Sequence, residues 1–152
     1  MLVLAMPQPA MASSSPGIVC TIAATALMFG AYIPYRTNST DSTATIKVIC
    51  TTSDTVVGQV SGSIALVGAS PATDRHLIGN QSDLRFQLYL DPTRTRIWGN
   101  GMDQGSSVPI SGVVGVNAPY RQTITVYGRI PPMAVAAVAA QYFDTITAVL
   151  DY

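Results

Sequence analysis

Alternation of apolar and polar residues is the main pattern along this chain. In the last alternating segment, Ile146, Ala148 and Leu150 share one face, while Thr145 and Thr147 share the other. A period of two residues is typical of a β-strand with one buried face. The alternating segments are 44–50, 84–90, 122–130 and 145–152. Turn-rich stretches separate them, at 37–42, 68–73, 99–105 and 117–119. This arrangement predicts an all-β sandwich.

One stretch departs from the strand pattern. Residues 133–141 contain strong helix formers and follow Pro131 and Pro132, which suit the first turn of a helix. The sequence leaves open a short helix or an irregular loop at this position.

The last predicted strand reaches Tyr152, and no further strand pattern follows it. We therefore expect a sandwich that stops one strand early, with an open apolar face and a row of unpaired backbone groups. Such an edge invites pairing with a strand of another chain. We expect five residues to line this acceptor groove: Ile22, Leu27, Ile146, Ala148 and Leu150.

Composition narrows the class of partner. The chain has 152 residues, which suits one domain, and it is 48% hydrophobic and only 11% charged. Its formal net charge is zero, so there is no electrostatic reason to bind nucleic acid or an anionic membrane surface. Low charge is typical of an extracellular β-protein, and it also agrees with an apolar surface that a partner covers.

The N-terminus and the cysteines both indicate export. Ala10-Met11-Ala12 fits an A-x-A cleavage pattern after a short apolar stretch, although a basic start is missing and would lie upstream. We assign residues 1–12 to a remnant of an export signal and residues 13–152 to a single domain. Cys20 and Cys50 suit an exported protein with one disulfide, and two buried free thiols are the alternative.

We predict no catalytic, cofactor-binding or metal-binding residues. His76 is the only histidine, and no nucleophile-elbow pattern accompanies it. Two cysteines and one histidine cannot supply the four ligands of a structural zinc site. The loop at 99–105 has too few carboxylates for an EF-hand calcium loop, so we interpret it as a turn between strands.

Six segments in a fixed order carry a resemblance to a known family. They are residues 28–34, 45–50, 84–91, 97–101, 126–131 and 142–152. Together they resemble the spore coat protein U domain family, which includes Csu-type subunits of archaic chaperone–usher pili. The resemblance covers nearly all of residues 20–152. Ala140 stands where members of this family commonly have glycine, a departure that concerns the local loop.

The resemblance implies an incomplete immunoglobulin-like sandwich that lacks its last strand. It also implies three kinds of partner: a periplasmic chaperone that lends a strand, an outer-membrane usher, and other pilin subunits. We therefore expect a structural subunit that passes through the periplasm to the cell surface or fimbrium, without stable membrane insertion. If cleavage follows Ala12, only residues 13–19 precede Cys20, too few for a donor strand. This predicts a non-donating or tip-located subunit.

Two alternative functions share the predicted sandwich. A self-contained secreted module would bind carbohydrate through exposed aromatic side chains, although such aromatics more often pack across strands. The candidates are Tyr32, Tyr35, Tyr89, Trp98, Tyr120 and Tyr127. A coat-layer protein without a fibre would differ only in its neighbours.

Overall fold

The computed structural model describes residues 3–5, 17–53, 55, 57–80, 82–102, 105–132, 134 and 141–152, with residues 3–5 described as backbone only. These residues form strands and connecting loops, and they contain no helix. The strands are β1 (Val3–Ala5), β2 (Ile18–Ala24), β3 (Thr40–Thr52), β4 (Gly58–Val67), β5 (Arg75–Gly79), β6 (Asp83–Tyr89), β7 (Val108–Val114), β8 (Tyr120–Ile130), β9 (Tyr142–Phe143) and β10 (Thr145–Asp151).

The strands form two sheets. One sheet has the order β1-β10-β4-β7, and the other has the order β2-β3-β8-β6-β5-β9. Every pairing is antiparallel except that of β1 with β10, which is parallel. The prediction of an all-β sandwich of immunoglobulin type is confirmed.

The core lies between the sheets and follows from the alternation of side chains. In β3, Ile46, Val48 and Cys50 are fully buried, and they share the face that the sequence assigned to the interior. In β6, Leu84, Phe86 and Leu88 are buried in the same way. Successive side chains of a strand point to opposite faces, so each strand contributes every second residue to one continuous core.

Several strands lie outside the predicted alternating segments. Both β4 and β7 contain a glycine on the face that carries their buried apolar residues, Gly62 in β4 and Gly112 in β7. The helix considered for 133–141 falls on residues of which only Ala134 and Gln141 are described, and neither of these is helical. That prediction therefore lies outside the described residues.

The outer side of β10 is not wholly free. β1 pairs with its first three residues in the register Val3 with Thr145, Leu4 with Ile146 and Ala5 with Thr147. The expectation of a completely open edge is thus corrected over these three positions, where the same chain supplies a short neighbour. Beyond Thr147, no strand of the described residues pairs on this side of β10.

A candidate strand-acceptor edge between β10 and β2

The candidate site begins with the two edges of β10. Along one edge β10 pairs with β4, from Thr147 opposite Val67 to Asp151 opposite Ser63. Along the other edge the described residues provide only β1, which ends opposite Thr147. The second half of β10 is therefore a sheet edge whose backbone can receive another strand.

The side chains of β10 separate cleanly into an inner and an outer set. Ile146 and Ala148 are fully buried and Leu150 is 4% exposed, whereas Thr145 and Asp151 are exposed. This follows from the period of two, because apolar residues occupy every second position of the strand. The edge therefore presents an apolar face toward the space between the sheets.

A second edge belongs to β2, the terminal strand of the other sheet, beside whose outer side the described residues place no further strand. Cys20 lies directly opposite Cys50 of β3, and a disulfide joins them with their Cα atoms 4.0 Å apart. Such a short separation belongs to the non-hydrogen-bonded pairs of an antiparallel ladder, whose N–H groups point away from the partner strand. The N–H of Cys20 therefore points to the free side of β2.

Tyr152 connects the two edges. Its hydroxyl oxygen accepts a hydrogen bond from the backbone N–H of Cys20 over 3.0 Å. Tyr152 directly follows the last residue of β10, while Cys20 lies in β2, so the phenol ring links the edges of the two sheets. The side chain is half-buried at this position.

Gly62 of β4 makes the close approach at this end of β10 possible. A Cβ atom at Gly62 would lie 1.9 Å from the carbonyl oxygen of Asp151 and 2.7 Å from the Cα of Tyr152. No larger residue fits without moving the end of β10, because real Cβ contacts are never this short. The absence of a side chain at Gly62 therefore allows the backbone of Asp151 and Tyr152 to lie this close to β4.

A buried polar cluster supports the part of β4 that lies opposite Ala148 and Leu150 of β10. The indole N–H of Trp98 donates to the carbonyl of Ile64 over 3.0 Å. The guanidinium of Arg75 donates to the carbonyls of Trp98 and Leu66 and to Oε1 of Gln87, over 2.8, 3.2 and 2.9 Å. Burial lowers the pKa of Arg75 to about 10, so it remains charged at neutral pH.

Asp144 is the second buried charged group, and it immediately precedes β10. Its Oδ1 accepts the N–H of Thr145 over 2.8 Å, while its Oδ2 has no hydrogen-bond partner among the described residues. Burial raises the pKa of Asp144, and the hydrogen bond from Thr145 and the charge of Arg75 act in the opposite direction. The start of β10 therefore carries a carboxyl group whose charged form is disfavoured.

Comparison with protein families agrees with this architecture. A model of the Spore Coat Protein U domain matches residues 10–149 of the 152-residue chain. The chain belongs to the Spore Coat Protein U domain family. The resemblance derived from the six sequence segments is thereby confirmed. No curated protein matches the chain.

In this Spore Coat Protein U domain the predicted groove residues lie in three places. Ile146, Ala148 and Leu150 lie together on the inner face of β10, and Ile22 lies half-buried on β2. Leu27 is fully buried, but it packs over Gly128 of β8, two strands away from β2 in the sheet order. Cys20 and Cys50 form the disulfide that the sequence suggested.

The other candidate residues of this domain are dispersed. Trp98 is fully buried, so it packs in the core, as the sequence analysis favoured, and offers no stacking surface. Tyr32 packs edge-on against Tyr142, whereas Tyr35 is 63% exposed. His76 lies 3.1 Å from Asp74, which also pairs with Arg85 at the surface.

The described part of the chain contains no cluster of three or more metal-ligating His, Cys, Asp or Glu side chains. Asp103 and Gln104 of the 99–105 loop lie outside the described residues. Within the described ranges, no helix has the length and apolar character needed to cross a bilayer.

Sequence reasoning missed the polar groups that organise the site. Arg75 appears in the polar run Asp74-Arg75-His76, which resembles a solvated loop. Its period-two relation to buried Leu77 was the available signal, because it places Arg75 on the interior face of β5. The bond between Tyr152 and Cys20 joins residues 132 positions apart and has no local signal.

Proposed function

We propose that this chain is a structural subunit of an exported fibre or surface coat that accepts a strand from another polypeptide along β10. The observation that carries the proposal is the outer side of β10 from Ala148 to Asp151, where no strand of the described residues pairs. Membership of a structural coat and pilus family supports the same role.

Main-chain hydrogen bonding accounts for the affinity of such an edge. A strand that lies beside β10 satisfies the N–H and C=O groups along it, in the manner of β-augmentation. The alternation of Ile146, Ala148 and Leu150 then favours a partner with apolar residues at every second position. Binding would thus select the strand pattern and register of the partner more than its individual residues.

The partners in this proposal are a periplasmic chaperone during export and then a neighbouring pilin subunit at an outer-membrane usher. Zero formal net charge favours recognition by apolar packing and backbone pairing over electrostatic steering. The subunit would end at the cell surface or in a fimbrium, and catalysis has no place in this role. A non-donating or tip position remains a prediction that depends on cleavage after Ala12.

Amide hydrogen exchange of the full chain, with and without its periplasmic chaperone, tests the proposal. We expect those amides of residues 148–151 that point away from β4 to become strongly protected in the complex. β7 supplies an internal control, because it is the opposite terminal strand of the same sheet. Its amides should exchange at similar rates in both samples.

Two results would contradict the proposal. A stable monomer whose exchange pattern does not change with the chaperone would favour a self-contained binding module. If only the amides of β7 became protected from exchange, the partner would bind along β7 and not along β10. Recovery after expression gives a second measurement, since an unfilled acceptor should aggregate or be degraded without the chaperone.

A further inference from the structure

On the side of β2 that faces away from β3, a side-chain hydroxyl group bonds to one of the backbone N–H groups. The N–H of Cys20 points away from β3, and the hydroxyl oxygen of Tyr152 lies 3.0 Å from this nitrogen. A carbonyl oxygen of a paired strand would occupy this position, because backbone hydrogen bonds have the same length. The phenol therefore takes the place of one strand carbonyl on the edge of β2.

The same alternation defines the rest of this edge. Thr25 donates its N–H to Thr45 of β3, and Ser53 donates to Gly17, so the odd-numbered positions of this segment bond inward to β3. The backbone groups of Cys20, Ile22 and Ala24 then point to the free side. A strand inserted beside β10 would meet these groups on its other side once β2 and β10, whose Cα atoms come within 8 Å of each other, move apart.

We propose that the Tyr152 side chain hinders the insertion of a strand between β10 and β2 until it is displaced, and we call this side chain the plug. An incoming strand must remove the phenol hydroxyl from the N–H of Cys20 before its own carbonyl can bond there. The plug covers one edge donor while no partner is bound, and it slows insertion at this end. This inference rests on the proposed function and names β2 as the second edge that receives the partner strand.

The position of Tyr152 suits displacement. Asp151 is the last residue of β10 that pairs with β4, so the Tyr152 side chain follows the end of the ladder. The bond breaks before its replacement forms, so its loss corresponds to roughly a fivefold faster association. Because this bond stabilises only the free protein, the equilibrium affinity should rise by about the same factor.

Stopped-flow association with a fluorescent peptide tests the plug. The probe has the sequence of residues 6–12 with Pro7→Thr and Pro9→Thr, because it must pair beyond Thr147, where β1 ends, and because the two prolines lack N–H donors. The full chain is compared with the variants Tyr152→Phe and Tyr35→Phe. Tyr35 is the matched control, since its side chain is exposed.

We expect the Tyr152→Phe variant to bind the peptide roughly fivefold faster than the unaltered protein does. The Tyr35→Phe variant should bind it at the same rate as the unaltered protein. In the absence of peptide, the Cys20 amide should exchange faster in Tyr152→Phe than in the other two proteins. Equal association rates for all three proteins would overturn the plug and leave strand acceptance intact. No association with any of them would count against strand acceptance itself, and the plug would be rejected with it.

A measurement on the unaltered protein covers the case in which Tyr152→Phe folds poorly. The ring signals of Tyr152 in a nuclear magnetic resonance spectrum should move when the peptide binds, while those of Tyr35 stay in place. Ring signals that do not change at saturation would show that the phenol keeps its bond to Cys20, and this would refute displacement.

Discussion

Arg75 donates a hydrogen bond from Nη2 to the carbonyl oxygen of Trp98 over 2.8 Å, and Trp98 in turn donates from its indole N–H to Ile64. Both side chains are almost completely buried. Ile64 belongs to β4 and Arg75 to β5, so this chain of bonds joins the two sheets. β4 also holds β10, and the cluster therefore supports the strand that forms the candidate acceptor edge.

Replacement of Arg75 should destabilise the domain strongly. Arg75→Met removes three hydrogen bonds and leaves the carbonyls of Leu66 and Trp98 without this donor. We expect the free energy of unfolding to fall by about 3 kcal/mol and the melting temperature by roughly 6–12 °C. Thermal unfolding checks this, with Arg85→Met as the control because Arg85 pairs with Asp74 at the exposed surface. Equal losses in both variants would contradict the structural role of Arg75.

The disulfide should contribute substantially to stability. Cys20 and Cys50 are 30 positions apart, and the chain-entropy relation gives a loss of about 3–4 kcal/mol when such a loop is opened. Denaturant unfolding of a Cys20→Ala, Cys50→Ala double variant measures this loss. A reducing agent should destabilise the unaltered protein by a similar amount and leave the double variant unchanged. A reducing agent that affects both proteins equally would show that another cause is at work.

Glycine at position 62 should be essential for the end of β10. Gly62→Ala brings a methyl group against the carbonyl of Asp151, and we expect a loss of roughly 1–3 kcal/mol from this overpacking. Faster amide exchange should be confined to the end of β10 and the facing part of β4. Gly115→Ala is the matched control, since the nearest atom to its Cβ is 3.4 Å away. Equal stability of the two variants would mean that β10 ends without this close approach.

Asp144 should make the protein less stable as the pH rises. Its folded-state pKa is raised above the ordinary value of 3.8 by burial, so ionisation is easier in the unfolded chain. The protein therefore loses free energy of unfolding as the pH increases from about 4 through the raised pKa, and the loss is complete above it. Asp144→Asn removes this dependence while Oδ1 can still accept the N–H of Thr145.

Urea unfolding at a series of pH values measures the Asp144 effect as the difference between the unaltered protein and the variant. The difference should grow in favour of Asp144→Asn above pH 4 and then level off. A flat difference for Asp144→Asn would mean that the carboxyl group is not disfavoured in its charged form.

The strands and their buried faces follow from the sequence because alternation is a local property. Each side chain of a strand points opposite to its neighbour, so the residues 145–151 determine by themselves that Ile146, Ala148 and Leu150 share a face. The order of six segments was also sufficient for the family. β4 and β7 could not be found in this way, because small residues interrupt their apolar faces.

The candidate site depends on contacts that no local pattern encodes. The sequence determined that β10 has an apolar face, but only the arrangement of sheets decided that β1 covers its first three residues, and that beside the next ones, on the side away from β4, no strand of the described residues lies. The tertiary structure also brought Tyr152 to Cys20 and buried Arg75 beside Trp98. Strand neighbours are chosen by the packing of the whole core, and residues far apart in the chain therefore meet only when the sandwich has formed.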